Sequence, residues 1–227
     1  MKIGIMGAMP DEVDQLCAKL SDVTVETYAG VDYHRGGLHG NEAIVCCAGM
    51  GKANAAATVQ VLITKYGAES IIFSGIAGNM TDKIGIGDVV VGRTVFYHDA
   101  ELDMICQSAP FLKEYTGDPA LVQAAMDACA ACGVKALAGR IATGDRFVGD
   151  AATKKAIEEC CHPDCVEMEG AAVSQIAGRN GVPCVILRAM SDNADESGHE
   201  LLVVKKFSIS AYVHTATEIV ARMVAGL

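Results

Sequence analysis

Two carboxylates separated by one thioether, Glu167-Met168-Glu169, follow a short apolar run and open a helix-forming stretch over residues 169–180. The first turn of a helix leaves backbone N–H groups unpaired and carries the positive end of the peptide dipoles, so it favours a negative charge. A carboxylate fixed there can accept hydrogen bonds from both hydroxyls of a vicinal diol, such as the 2′ and 3′ hydroxyls of a ribose. A plainer reading makes Glu169 a helix stabiliser and Glu167 a surface charge, since acidic first turns are common. A second group, Arg188-Ala189-Met190-Ser191-Asp192-Asn193-Ala194-Asp195, sets a cation, a hydroxyl and two carboxylates just past an apolar run. Here too each residue has a structural alternative, an Asx-turn or cap for Asp192 and a salt bridge for Arg188. Glu12, near the start of a helix that leaves the first strand, and the glycine-rich stretch Gly75-Ile76-Ala77-Gly78 after another strand are the third and fourth candidates. In α/β sheets the carboxyl ends of the strands form one edge, where ligands bind. Their joint placement there favours a site over coincidence.

The elements that must position these groups follow from hydrophobic period and turn chemistry. Residues 2–6 read as an apolar strand, and Pro10 and Asp11 as a helix start. Val13, Leu16, Cys17 and Leu20 keep the three–four spacing of an amphipathic helix. Residues 24–28 and 31–38 predict a hairpin turning at Ala29-Gly30, followed by a strand over 43–48. An alanine-rich helix is expected over 53–66. A strand over 70–74 leads into a glycine-rich turn, Gly75-Ile76-Ala77-Gly78, and another strand spans 88–96. Residues 99–118 lack a period, and so long an irregular stretch is often functional or part of an interface. Beyond it the pattern gives a helix over 119–132, a strand over 136–142 and a helix capped by Asp150. A strand over 184–190, a polar loop over 191–199 and a C-terminal helix complete the chain. The alternation predicts one α/β/α layered domain over residues 1–227.

Composition narrows the function. The chain has 227 residues, half of them hydrophobic, enough for a substantial core. A net charge of −10 without clustered Lys or Arg argues against a nucleic-acid partner. No signal-peptide pattern and no membrane span are read, so a cytoplasmic protein is expected. The ten cysteines are then thiols rather than disulfides. Cys160-Cys161-His162-Pro163-Asp164-Cys165 contains zinc-ligand residue types at a spacing that matches no familiar site. Its plainer reading is a helix end entering a buried strand, and no metal is expected. Gly49-Met50-Gly51 and Gly75-Ile76-Ala77-Gly78 both follow strands, but neither fits the dinucleotide pattern.

The whole chain resembles the nucleoside phosphorylase/nucleosidase superfamily, and within it the 5′-methylthioadenosine/S-adenosylhomocysteine nucleosidases. The resemblance rests on Ala8-Met9 with Glu12, Gly49-Met50-Gly51-Lys52, Tyr97-His98-Asp99-Ala100, and Gly144-Asp145 with Phe147. It continues through Val166-Glu167-Met168-Glu169 and Arg188 with Ser191-Asp192 and Asp195. It implies a central twisted mixed sheet in an α/β/α sandwich, and hydrolysis of an N-glycosidic bond in methionine salvage. It further implies that Glu12 activates water, Asp192 protonates N7 of adenine, Phe147 stacks on the purine and the Val148 backbone reads its edge. Glu167, Met168 and Glu169 would hold the ribose, Arg188 would lie near Glu12, and Ser191 beside Asp192. Met9 and Met50 would line the sugar side, and Gly78 belongs to the same pocket.

The resemblance also implies no cofactor, and a homodimer in which residues 102–111 close the partner's 5′ pocket. Two positions depart from the family. Ile76 stands where a serine is usual, and an aliphatic such as Leu202 replaces an aromatic that closes over the 5′ group. A phosphorylase would need an anion site, read here as lacking both an arginine near Glu12 and a serine at position 76. A nucleosidase for aminodeoxyfutalosine and a non-catalytic purine-nucleoside sensor are the remaining alternatives.

Overall fold

Strands and helices alternate along much of this computed structural model, which describes residues 1–196 and 210–227. β1 (Lys2–Gly7) is buried on both faces, with Ile3 and Ile5 in one core and Met6 in the other. It pairs in parallel with β4 (Asn41–Cys47) on one side and β5 (Ser70–Asn79) on the other. A parallel sheet of this kind needs helices on both faces. α2 (Lys52–Thr64) and α6 (Gly170–Arg179) cover one, and α1 (Pro10–Cys17), α4 (Pro119–Ala131) and α7 (Ser210–Ala225) the other. The expected α/β/α sandwich is borne out.

Outside β4 lie the antiparallel β3 (Val31–Leu38) and β2 (Ser21–Tyr28). Their hairpin turns through Ala29 (φ 50°) and Gly30 (φ 80°), the left-handed pair that suits the twist of a two-residue hairpin. On its other side β5 pairs with β10 (Cys184–Asp192), while past the end of β1 its Gly78 and Asn79 pair with β9 (Cys165–Glu167). From β10 the pairing runs through β6 (Val89–Tyr97) and β8 (Ala136–Thr143) back to β9. This part of the mixed sheet therefore closes on itself. The closure gathers the far ends of β5, β9 and β10 at one place. α5 (Ala151–Cys161) starts at Asp150, whose carboxylate accepts from the Thr153 N–H (2.8 Å).

The structure corrects several element boundaries. Gly75-Ile76-Ala77-Gly78 is not a turn, because β5 runs through it to Asn79. Ser191 and Asp192 belong to β10 rather than to a loop, and Ser191 is the extra residue of a bulge between Met190 and Asp192. Glu169 is the N-cap of α6 and not a first-turn residue. Leu20 lies past the end of α1. Residues 99–118 contain α3 (Leu102–Ile105) and β7 (Glu114–Thr116), the latter pairing with β6. Leu202 lies outside the described residues. All ten cysteines are free thiols. Cys160 is exposed, His162 caps α5 in the left-handed conformation, and Cys165 is buried in β9. Among the described residues no three His, Cys, Asp or Glu side chains could hold a metal ion, and no helix is long and apolar enough to cross a membrane.

Candidate active site

Glycines in β5 make room for the site. Gly75 is in register with Arg188 of β10, and a Cβ on it would overlap Nη1 of Arg188 and lie 2.7 Å from Oε1 of Glu12. The Arg188 guanidinium, 1% exposed, covers the Phe73 ring with Cζ 4.1 Å from its centroid. It donates through Nε (3.2 Å) and Nη2 (2.5 Å) to Oε2 of Glu167, and Nη2 stands 3.6 Å from Oε2 of Glu169. Burial opposes its charge, but the facing carboxylates of Glu167, Glu169 and Glu12 outweigh burial and raise its pKa.

Glu12 is the third residue of α1, and its carboxylate turns back over the helix start. The N–H groups of Ala8 (2.7 Å) and Met9 (3.0 Å) donate to Oε2, and that of Ile76 (3.1 Å) to Oε1. Burial nevertheless raises its pKa against the pull of Arg188 and these donors. Glu169 accepts from the Gly51 N–H (2.8 Å), and burial, then the charge of Glu167, push it up to about 7. Three buried carboxylates thus share one cation.

Glu167 is not the surface charge of the plainer reading. Its Oε1 accepts from the Thr143 hydroxyl, and its Oε2 from Arg188 and the N–H groups of Glu169 (3.1 Å) and Gly170 (2.7 Å). Thr143 in turn accepts from the Ala171 N–H (2.8 Å). The α6 N-terminus and Arg188 are therefore fixed by one carboxylate.

Asp192 faces Gly78, where a Cβ would lie 3.1 Å from its Oδ1. The Ser191 hydroxyl donates to Oδ2 (2.7 Å) and the Ala194 N–H to Oδ1 (2.8 Å). Gly78, Phe147, Val148, Glu167, Met168 and Asp192 line one small cleft together with Arg146 and Val166. Glu167 joins this cleft to the Glu12–Arg188–Glu169 cluster. Val148 is buried and Phe147 is 41% exposed at the mouth. Met9 meets the cluster through its N–H on Glu12, and exposed Met50 precedes the Gly51 N–H that Glu169 accepts. Sequence reasoning missed Phe73 and Thr143, since a lone Thr or Phe in a strand carries no signal. Gly75 lay within a stretch expected at the site, but as part of a turn and not of a strand.

Residues 2–225 match the family model of the phosphorylase superfamily. The chain belongs to that superfamily. A 5′-methylthioadenosine/S-adenosylhomocysteine nucleosidase of Shewanella piezotolerans is 38% identical over 231 residues, covering 97% of this chain and 98% of the relative. The nucleosidase of Neisseria meningitidis, solved with methylthio-immucillin-A, superposes with a TM-score of 0.92 at 28% identity, covering 100% and 99% of the two chains. A futalosine hydrolase of Helicobacter pylori gives 0.90 at 29% identity, covering 100% and 98%. The resemblance read from the motifs is borne out. The structure does correct one step of the sequence argument against a phosphorylase. An arginine, Arg188, does stand beside Glu12, although Glu167 and Glu169 already engage it.

Proposed function

We propose that this superfamily member hydrolyses the N-glycosidic bond of 5′-methylthioadenosine, S-adenosylhomocysteine or both, releasing adenine and the 5-thioribose sugar. The observation that carries the reading is the burial of Glu12, Arg188 and Glu169 in one cluster, joined through Glu167 to the cleft of Asp192. The names of its relatives support the same chemistry. Water attacks C1′ while the C1′–N9 bond breaks. Glu12 takes a proton from that water, and Asp192 gives one to N7 of the departing adenine. The transition state resembles an oxocarbenium ion, as in glycoside hydrolysis, and nearby carboxylates stabilise its charge. A base works best with a pKa near the working pH, and burial moves Glu12 in that direction.

Glu169 holds the ribose diol, while Met9, Met50 and Met168 pack on the sugar. Phe147 stacks on the purine, the Val148 backbone reads its edge, and Gly78 leaves room for the base. Glu167 has its oxygens engaged by protein donors, so its main task is to hold Arg188 and the α6 N-terminus. Ser191 orients Asp192. We further read residues 1–227 as one domain acting in the cytoplasm as a homodimer. The similarity to a futalosine hydrolase supports a second reading, in which aminodeoxyfutalosine is the nucleoside cleaved.

Product analysis tests the reading. Methylthioadenosine, S-adenosylhomocysteine and aminodeoxyfutalosine are each incubated with the protein, with and without phosphate. Adenine and a free sugar, independent of phosphate, are expected. A sugar 1-phosphate would make the protein a phosphorylase. Cleavage of aminodeoxyfutalosine alone would select the second reading.

A further inference from the structure

Three stretches carry the family resemblance without a part in the chemistry above: Lys52, Tyr97-His98-Asp99 and Gly144-Asp145. The fold brings them together. Lys52 Nζ donates to Oδ1 of Asp99 (2.7 Å) and pairs with Oδ2 of Asp145 (3.2 Å). Oδ2 of Asp99 accepts from the Asp145 N–H (2.8 Å). The turn at Gly144 is also pressed on His98, since a Cβ on Gly144 would overlap Nε2 of that ring. The His98 N–H donates to the Thr143 carbonyl (3.0 Å).

One end of this assembly adjoins Met50 and Gly51, whose N–H holds Glu169. The other adjoins Arg146, Phe147 and Val148 of the cleft. We propose that Lys52, with Asp99 and Asp145, is a positioning bracket that fixes the spacing between the ribose-holding loop 49–51 and the base-holding residues 146–148. This rests on the adenine-nucleoside reading above. An exposed ion pair contributes little stability by itself, and a bracket acts differently. A ligand that spans two subsites gains from their fixed spacing, whereas a ligand filling one does not.

The test compares two ligands on the full chain by titration calorimetry: a non-hydrolysable C-nucleoside analogue of adenosine, and adenine alone. Lys52→Met should raise the Kd of the nucleoside about tenfold and that of adenine less than about twofold. Asp145→Asn, at an exposed carboxylate, should shift the nucleoside the same way by a smaller factor, and it serves if Lys52→Met does not fold. Lys52→Arg should retain most of the affinity, because its fork reaches two carboxylates. Equal weakening of both ligands, or no change in either, would overturn the bracket while adenine release by the unaltered chain still upheld the enzyme. An unaltered chain that released no adenine from any nucleoside would overturn both.

Discussion

Both oxygens of Glu12 are already engaged by backbone N–H groups, so the residue could be a helix cap, a base or both. Glu12→Gln separates these roles. Glutamine keeps the shape but cannot take a proton, so turnover should fall by ~100- to 10,000-fold while nucleoside binding holds. Its amide must also turn a donor toward a backbone donor, which should cost about 1–3 kcal/mol in denaturant melts. Turnover that survives with only that stability loss would make Glu12 a cap. Asp192→Asn should slow release of adenine far more than release of nitrophenol, which departs without a proton. Equal losses for the two leaving groups, measured by steady-state kinetics, would make Asp192 structural. Glu169 provides a pH test. Its folded pKa, about 7, lies above the ordinary 4.5, so between these values the folded chain holds a proton that the unfolded chain has released. Its contribution is full below pH 4.5 and is lost as pH rises through about 7. Stability should therefore decline across that window, with buried Glu12 acting in the same direction. Glu169→Gln should flatten the slope in urea melts taken from pH 4.5 to 8, and an unchanged slope would count against the assignment.

At the scale of elements, local chemistry was legible wherever local chemistry decides. Pro10 opens α1, Ala29-Gly30 turns the first hairpin, and Asp150 caps α5, each through backbone preferences set within a few residues. The failures share a cause. Gly75 and Gly78 look like turn residues, yet their conformation is extended and their lack of a side chain serves a neighbour 114 positions away in Gly78's case, Asp192. No spacing rule reports a cross-strand partner at that distance. Gly75→Ala tests this account. Its methyl would overlap Arg188 and crowd Glu12 in a place where neither can retreat. Melting temperature and turnover should both fall substantially, since overpacking typically costs about 1–3 kcal/mol. Gly85→Ala, where a Cβ meets nothing within 4 Å, should change neither. Equal, small effects of the two substitutions in thermal melts and kinetics would show that β5 tolerates a side chain beside Arg188.

For the whole molecule, strand–helix alternation gave the layered sandwich, but the closure of the sheet was not legible. It depends on β9, only three residues long, pairing Val166 with Gly78 of β5. So short a strand leaves no periodic trace, although it delivers Glu167 to Arg188. The irregular stretch after Asp99 raises the remaining question of what covers it. Leu102 and Ile105 pack on the core and anchor α3, while Met104 and Phe111 are 69% and 68% exposed. With Leu112, 48% exposed, these two make three large apolar side chains exposed within one short stretch of chain, the kind of surface an interaction covers. The segment starts just beyond Asp99, which holds the Asp145 turn next to Phe147, so a protein docked there lies near the cleft lined by Phe147 and Asp192. A second copy of this chain is the proposed occupant, and light scattering at micromolar concentration should give a dimer. A stable dimer buries about 1,600 Å² in total, so two charges placed in its apolar part should suffice to split it. Met104→Glu with Phe111→Asp should shift the mass toward the monomer while leaving the far-UV circular dichroism of the fold unchanged, and the melting temperature should lose only what dimerisation had added. If the partner closes the 5′ pocket, the same variant should raise KM for 5′-thio-substituted adenosines more than for adenosine. A monomeric unaltered chain would remove the dimer, and a monomeric variant with unchanged KM would show that the 5′ pocket is complete within one copy.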